Sequence, residues 1–334
     1  MALNLLGLGH FHPNNEISNA FLESLDIGTD DDWIMERVGI RSRRTVLPLD
    51  YIRETRNAES RAASEAAEFS NAELGAAAAK LALERAGIST EEVGLVIGGG
   101  CAPDTVSPAE ACNLARLLEI EAPSLDVNSA CTSFIAGLHL LGMMRDEALP
   151  DYVLLVSMES MTRTVDYRDR SSAVLWGDAG VAAVVSSRQV GRARLEGTSL
   201  DSDPAGAEKV IIPRQGYFGQ EGRTVQSFAI KRTIRAYNAL KAEYEDSGRP
   251  LHFVGHQANM RMLENVCRRC EIAQERHHTN VEWYGNTGAA SSGTVLSQNW
   301  DKWQSGDDIA VVGVGSGLTW GSYLARFGKG DSEQ

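Results

Sequence analysis

Apolar residues run along this chain in two rhythms, and the two alternate. Short runs such as "VGLVIGG" (93–99), "YVLLVS" (152–157) and "GVAAVVSS" (180–187) are apolar at nearly every position, the pattern of strands buried on both faces. Between them lie longer stretches with helical spacing. "ELGAAAAKLALERAGI" (73–88) predicts a helix ending at Gly87, and "SPAEACNLARLLEI" (107–120) predicts one with Pro108 in its first turn. "SLDVNSA" (124–130) reads as a strand, and the apolar segment that starts at Cys131 reads as a helix with the cysteine in its first turn.

The order then repeats. "SFAIKRTIRAYNALKAEYEDSG" (227–248) predicts a long helix, "LHFVGHQ" (251–257) a strand, and "NMRMLENVCRRC" (259–270) a helix. "NTGAASSGTVLSQNW" (286–300) predicts another helix and "DIAVVGVGSG" (308–317) a buried strand. Strands alternating with helices make the class α/β, in two similar layered halves, residues 1–187 and 188–334, with no linker between them. One stretch breaks the rhythm. Residues 47–71, "LPLDYIRETRNAESRAASEAAEFSN", are charged and predict an inserted, partly helical element on the surface.

Composition narrows the partners. The formal net charge is −13, which disfavours nucleic acid and anionic membranes as general partners but leaves room for a local basic patch. No apolar run approaches the length a membrane span needs, and "MALNLLGLGHFHPNN" reads as a first strand and turn rather than a signal peptide. Five cysteines, an odd number in a long chain, favour reduced thiols and a cytoplasmic location. Cys267 and Cys270 have redox or zinc spacing, but they fall inside a helical pattern with only His277 and His278 nearby, so a structural reading is preferred. No metal and no resident cofactor is expected.

Four places carry candidate chemistry. Cys131 in "DVNSACTSF" stands where a strand gives way to a helix; unsatisfied N–H groups there favour a thiolate and hold a developing oxyanion, although a free cysteine also simply fills space. His256 in "FVGHQANMR" follows a buried strand, placed to donate or move a proton, or to be satisfied by turn backbone. Asn286 in "WYGNTGAASSG" is an N-cap or turn residue by default, and its amide can equally donate to an anionic oxygen. "GVGSGLTWGS" (313–322) is a glycine-rich turn that lets backbone approach a ligand.

Taken together and in this order, these motifs resemble the ketoacyl synthase III branch of the thiolase superfamily of condensing enzymes. The resemblance runs from "GTDDDWIMERVGIRSRR" through "DVNSACTSF", "RDRSSAVLWGDAG", "HQANMR" and "GNTGAAS" to "GSGLTWGSYLARF", nearly the whole chain. It implies a thiolase-like fold with two α/β halves packed as five layers, αβαβα. It implies Cys131 as the acylated nucleophile with His256 and Asn286 completing a triad, and an oxyanion hole from the backbone N–H of Cys131 and Ser316. At position 316 many members carry glycine; serine offers the same N–H.

Other residues map onto the family's contacts. Trp33 corresponds to the indole that stacks on the adenine of CoA, and Arg37 and Arg170 to the cations around the nucleotide. Val38 replaces a polar residue that usually follows Arg37. Lys231, Arg261, Arg268 and Arg269 match basic positions that receive the acidic acyl carrier protein. Short-chain members place a large aromatic where Ser107 stands, closing the acyl pocket of the neighbouring subunit. Its loss predicts a primer longer than acetyl, around octanoyl, unless Trp176 or Leu318 refills the space. The implied reaction loads an acyl group from acyl-CoA, with the CoA thioester as substrate, and condenses it with a malonyl carrier protein; a homodimer is implied too. The same triad also serves chain-fusing ketosynthases and acyltransferases of specialised metabolism.

Overall fold

In a computed structural model, which describes residues 3–244 and 248–328, the strands of the main sheet are β1 (Leu3–Phe11), β2 (Val93–Gly99), β3 (Ser124–Asp126), β4 (Tyr152–Ser160), β5 (Asp178–Ser186), β6 (Ala193–Ser202), β7 (Leu251–Gly255), β8 (Asp308–Gly315) and β9 (Thr319–Phe327). They pair in the order β7-β8-β9-β6-β1-β5-β4-β2-β3. The first five strands form one half of this sheet. β2 runs parallel to β3 and β4, β4 pairs antiparallel with β5, and β5 antiparallel with β1. The other half repeats the scheme: β7 is parallel to β8, and β8-β9-β6 are successively antiparallel. The counterpart of β3 shrinks to a single parallel bridge between Phe253 and His277. The halves join where Leu3–Leu5 pair with Ala193–Leu195.

Helices complete the layers. The principal ones are α1 (Asp31–Arg37), α2 (Asn71–Ala86), α3 (Glu110–Leu118), α4 (Ser133–Met143), α5 (Gly222–Tyr244), α6 (Met260–Cys270) and α7 (Ser291–Gln298). α4 and α7 touch strands of both halves and form the middle layer; α2 and α3 cover the first half outside, α5 and α6 the second. The result is a thiolase-like αβαβα arrangement. A buried cluster joins Leu8, Phe134, Leu138 and Val181 of the first half to Val254, Leu296, Val311 and Tyr323 of the second, so the middle layer is a shared core.

α2 shows why the sequence folds this way. Ser70 and Glu73 close a capping box at its start, and Gly87 ends it in the left-handed region at φ 69°. Its alanine face meets Gly7 and Gly9 of β1 closely: a Cβ on either glycine would come within 2.2 Å or 2.0 Å of the helix carbonyls of Ala82 and Ala78. The small residues are there for helix–sheet contact.

Several boundaries differ from expectation. α3 starts at Glu110, so Pro108 lies ahead of the helix rather than in its first turn. The Asp126 carboxylate, from the end of β3, caps it by accepting from the N–H groups of Glu110 at 2.7 Å and Ala111 at 2.9 Å. β3 itself stops at Asp126, because the chain must turn toward Cys131. α5 begins at Gly222, five residues earlier than the pattern indicated, and residues 245–247 at the predicted end of that helix lie outside the described residues. The segment 47–71 forms two short helices, Leu49–Thr55 and Ala62–Ala66, and is not merely a surface element. Leu47, Ile52 and Ala63 are fully buried, and the buried Asn57 donates to the carbonyls of Arg163 and Val165.

Candidate active site

Cys131 does not stand in the first turn of α4 but in the turn that enters it. Ala130 adopts φ 48°, and the turn is tied by Ser133 Oγ, which accepts from Ser129 N at 2.9 Å, and by Thr132 Oγ1, which donates to Ser129 O at 2.6 Å. This left-handed step turns the thiol out of the helix axis, with the helix start beneath it. Gly315, at the end of β8, packs against this turn: a Cβ there would lie 3.2 Å from the backbone nitrogens of Cys131 and Thr132.

His256 is the residue after β7. Its N–H bonds Val312 O at 2.8 Å, and its Nδ1 lies 2.7 Å from Ser291 Oγ at the start of α7. With Nδ1 engaged, Nε2 is the ring nitrogen left for the cavity. Asn286 is held by its backbone, which bonds Leu175 O at 2.8 Å and accepts from Gly177 N at 3.0 Å. Its Oδ1 accepts from Gly288 N at 3.0 Å, which orients the amide and leaves the NH2 group to act as donor.

These three side chains line one cavity of about 390 Å³. Trp33, the exposed Arg37 and the buried Val38 line its outer part; Ser316 and Leu318 form one wall. The Arg170 guanidinium sits over the Trp33 ring at 4.6 Å and Arg37 at 5.7 Å, so the three residues form one aromatic–cationic group. A second cavity of about 180 Å³ adjoins it and shares Cys131, Trp176, Val210, Phe218 and Ser316; Cys101, Ala130, Met161, Ile211 and Ile212 complete its lining. Trp176 meets Phe218 edge-on, with centroids 4.6 Å apart. Ser107 is exposed on the loop before α3 and lines neither cavity of its own chain.

The electrostatics single out Cys131. The neighbouring Cys101 thiol, 3.6 Å away, and then His256 hold its thiol well below the ordinary value, against burial, which pushes it up. Cys101 goes the opposite way, raised by its contact with Cys131, by burial and by Glu159. Glu159 is fully buried; that burial, helped by the charge on Cys131, pushes its carboxyl up to about 8. It accepts from the N–H groups of Ala289 at 2.7 Å and Cys101 at 3.0 Å, tying the loop after Asn286 to the loop after β2.

A low thiol beside an imidazole and an amide donor, at the inner end of an apolar channel, is equipped for covalent acyl transfer. Comparison with known proteins agrees. The family model for the 3-oxoacyl-[acyl-carrier-protein] synthase III domain matches residues 125–204, and that for the C-terminal domain of the same enzymes matches 250–327. The β-ketoacyl-[acyl-carrier-protein] synthase III of Oceanobacillus iheyensis is 31% identical over 98% of this chain and 100% of its own. This chain belongs to that family. Among solved structures, 3-oxoacyl-[acyl-carrier-protein] synthase III from Aquifex aeolicus superposes with a TM-score of 0.84 at 28% identity, over 97% of this chain and 100% of that one. A priming β-ketosynthase from a polyketide biosynthetic pathway superposes at 0.81 with 26% identity, over 98% and 97%. The protein is therefore an acyltransferase of the condensing type.

Not every residue singled out in this synthase III stands free. Arg261 donates to Met35 O at 2.6 Å and bonds Glu264, so it fastens α6 to α1 rather than presenting an unengaged cation. Lys231, Arg268 and Arg269 are exposed, and Lys231 shares a groove on α5 with Arg232 and Arg235. Sequence reading passed over Cys101, Glu159, Ser291 and the channel-lining Arg223. Cys101 alone gave a signal, since it follows a buried strand as His256 does. Among the described residues no group of three His, Cys, Asp or Glu could hold a metal ion, and no helix is long and apolar enough to cross a membrane.

Proposed function

We propose that this protein is a β-ketoacyl-[acyl-carrier-protein] synthase III that takes a medium-chain acyl group, around octanoyl, from acyl-CoA and extends it with malonyl carrier protein. The observation that carries the reading is the convergence of Cys131, His256 and Asn286 at one cavity that Trp33 and Arg37 also line, with Arg170 over the Trp33 ring. In loading, Cys131 Sγ attacks the thioester carbonyl and the CoA thiolate leaves. The N–H groups of Cys131 and Ser316 receive the oxyanion, in keeping with Gly315 lying against the Cys131 turn. In condensation, His256 Nε2 and the Asn286 amide donate to the malonyl thioester oxygen as carbon dioxide leaves. The carbanion attacks the acyl carbon, and the Cys131 thiolate departs, giving 3-oxoacyl carrier protein.

The chain-length assignment is supported by the apolar second cavity beside Cys131 and by the absence of a ring at Ser107. Each additional methylene buried there is favourable by about 0.8 kcal/mol. The carrier protein docks on the cations of α5 and α6, Lys231, Arg268 and Arg269, with Arg261 holding the helix in place. A second copy completes the molecule. β3 is an edge strand, and its Leu125 is 45% exposed, which leaves an apolar side chain on an unpaired edge suited to pairing with a second copy. The polyketide-priming neighbour favours one alternative, in which the same triad loads a specialised primer. Five free cysteines fit a reducing, cytoplasmic setting.

Intact-mass spectrometry after incubation with acetyl-, octanoyl- or palmitoyl-CoA tests the reading. The expected result is an octanoyl adduct that forms fastest and is lost in Cys131→Ala. An acetyl adduct alone overturns the chain length; no adduct from any CoA overturns CoA loading and favours the specialised primer.

A further inference from the structure

The site contains a second thiol to which the triad assigns no task. Cys101 follows β2 by two residues, and His256 follows β7, the counterpart of β2 in the other half, by one. The repeat of the fold thus brings a chemically active residue type to the same strand end in each half. Cys101 Sγ lies 3.6 Å from Cys131 Sγ, within the reach of a sulfur hydrogen bond, and both line the smaller cavity.

When one of two touching thiols ionises, the other keeps its proton and donates it, and the surroundings decide which. The buried Glu159 carboxyl accepts the backbone N–H of Cys101 at 3.0 Å, and this acid and the burial around it disfavour negative charge on Cys101 sulfur. Cys131 instead stands at the start of α4 beside His256, where negative charge is favoured. The bond therefore runs from Cys101 S–H to Cys131 sulfur.

We propose that Cys101 is a positioning residue for acyl transfer: its S–H donates to Cys131 Sγ, holding that sulfur as a thiolate and aiming it at the incoming thioester. The donor matters twice. In loading, Cys131 Sγ forms the bond to the acyl carbon and the CoA sulfur leaves with its electron pair, while Cys101 keeps its own proton. In condensation, the C–S bond to Cys131 breaks and the sulfur leaves as a thiolate, which again faces the Cys101 donor. Between these steps the thioester sulfur is a poor acceptor, so the bond is strongest where charge resides on sulfur.

The inference rests on Cys131 as the nucleophile, and its test needs no acyl donor. Purified wild type, Cys101→Ala, Cys101→Ser and Cys101→Val are alkylated with iodoacetamide across a pH series, and modification at Cys131 is read by peptide mass spectrometry. The midpoint for Cys131 should rise by about one pH unit in the alanine variant, which is about a tenfold loss of thiolate at pH values well below the midpoint. Serine, which keeps a donor, should recover most of that shift. Valine, which fills the space without donating, should behave as alanine does and serves in its place if alanine does not fold. An unchanged midpoint in the variants without a donor overturns the proposal, and so does an equal shift in serine and alanine, which would mean packing alone. A protein that fails to load any acyl-CoA would overturn loading from CoA yet leave this titration interpretable.

Discussion

A fully buried carboxyl group, Glu159, binds the backbone of Cys101, whose thiol touches that of Cys131. Glu159 takes part in no attack, but it joins the Cys101 loop to the loop of Asn286 through two backbone N–H groups. Burial raises its folded pKa to about 8 from an ordinary 4.5. Between those values the folded protein holds a proton that the unfolded chain has released, so stability falls as pH rises through this window. Glu159→Gln removes that proton exchange. The expected outcome is a flatter dependence of melting temperature on pH from 4.5 to about 8 in the variant than in the wild type, with Glu110 and Asp178, also raised by burial, contributing equally to both. Parallel curves would contradict it. Nothing in "VSMES" marks this glutamate, since a polar residue at a strand end is ordinary. Cys131, His256 and Asn286 were legible because each stands in a short stretch whose flanking residues are unusual together. Ser291, which orients the histidine, lies 35 residues from it, and no spacing rule links them.

Position 316 shows how one side chain sets the shape of an element. Ser316 Oγ donates to Val210 O at 2.6 Å, fastening the small ribbon of Val210–Ile211 and Gly219–Gln220 to the glycine-rich turn. That ribbon walls both cavities. Ser316→Gly keeps the backbone N–H and removes the tether, worth about 1 kcal/mol. The ratio of kcat/KM for palmitoyl-CoA to that for octanoyl-CoA should then rise about fivefold, the equivalent of that energy. An unchanged ratio would mean that the wall is held by other contacts. The same scale explains which helix starts were legible. α2 carries its own capping box and terminal glycine, so local sequence defines it. α3 is capped by Asp126 from a later strand, and the turn into α4 depends on Ala130 entering the left-handed region; neither can be read from neighbouring residues.

Across the whole molecule, the repeat of strand and helix patterns announced two α/β halves, but not the order in which the strands pair. That order is set by α4 and α7 packing between the halves, and the second half's missing strand survives only as the Phe253–His277 bridge. The exposed Leu125 on edge strand β3 argues for a dimer. The wild type should sediment at twice the chain mass at micromolar concentration, and Leu125→Asp should sediment as a monomer with impaired acyl loading. A monomeric wild type would contradict this. If one triad carries two successive steps, loading and condensation can be separated in a single experiment. Wild type, His256→Ala and Asn286→Ala are loaded with octanoyl-CoA, the Cys131 adduct is quantified, malonyl carrier protein is added, and 3-oxoacyl carrier protein is followed by mass spectrometry. The wild type should give product, and the variants an acyl-enzyme that forms but yields at least about a hundredfold less product. An acyl-enzyme in the wild type that never condenses, or variants that condense at the wild-type rate, would contradict it.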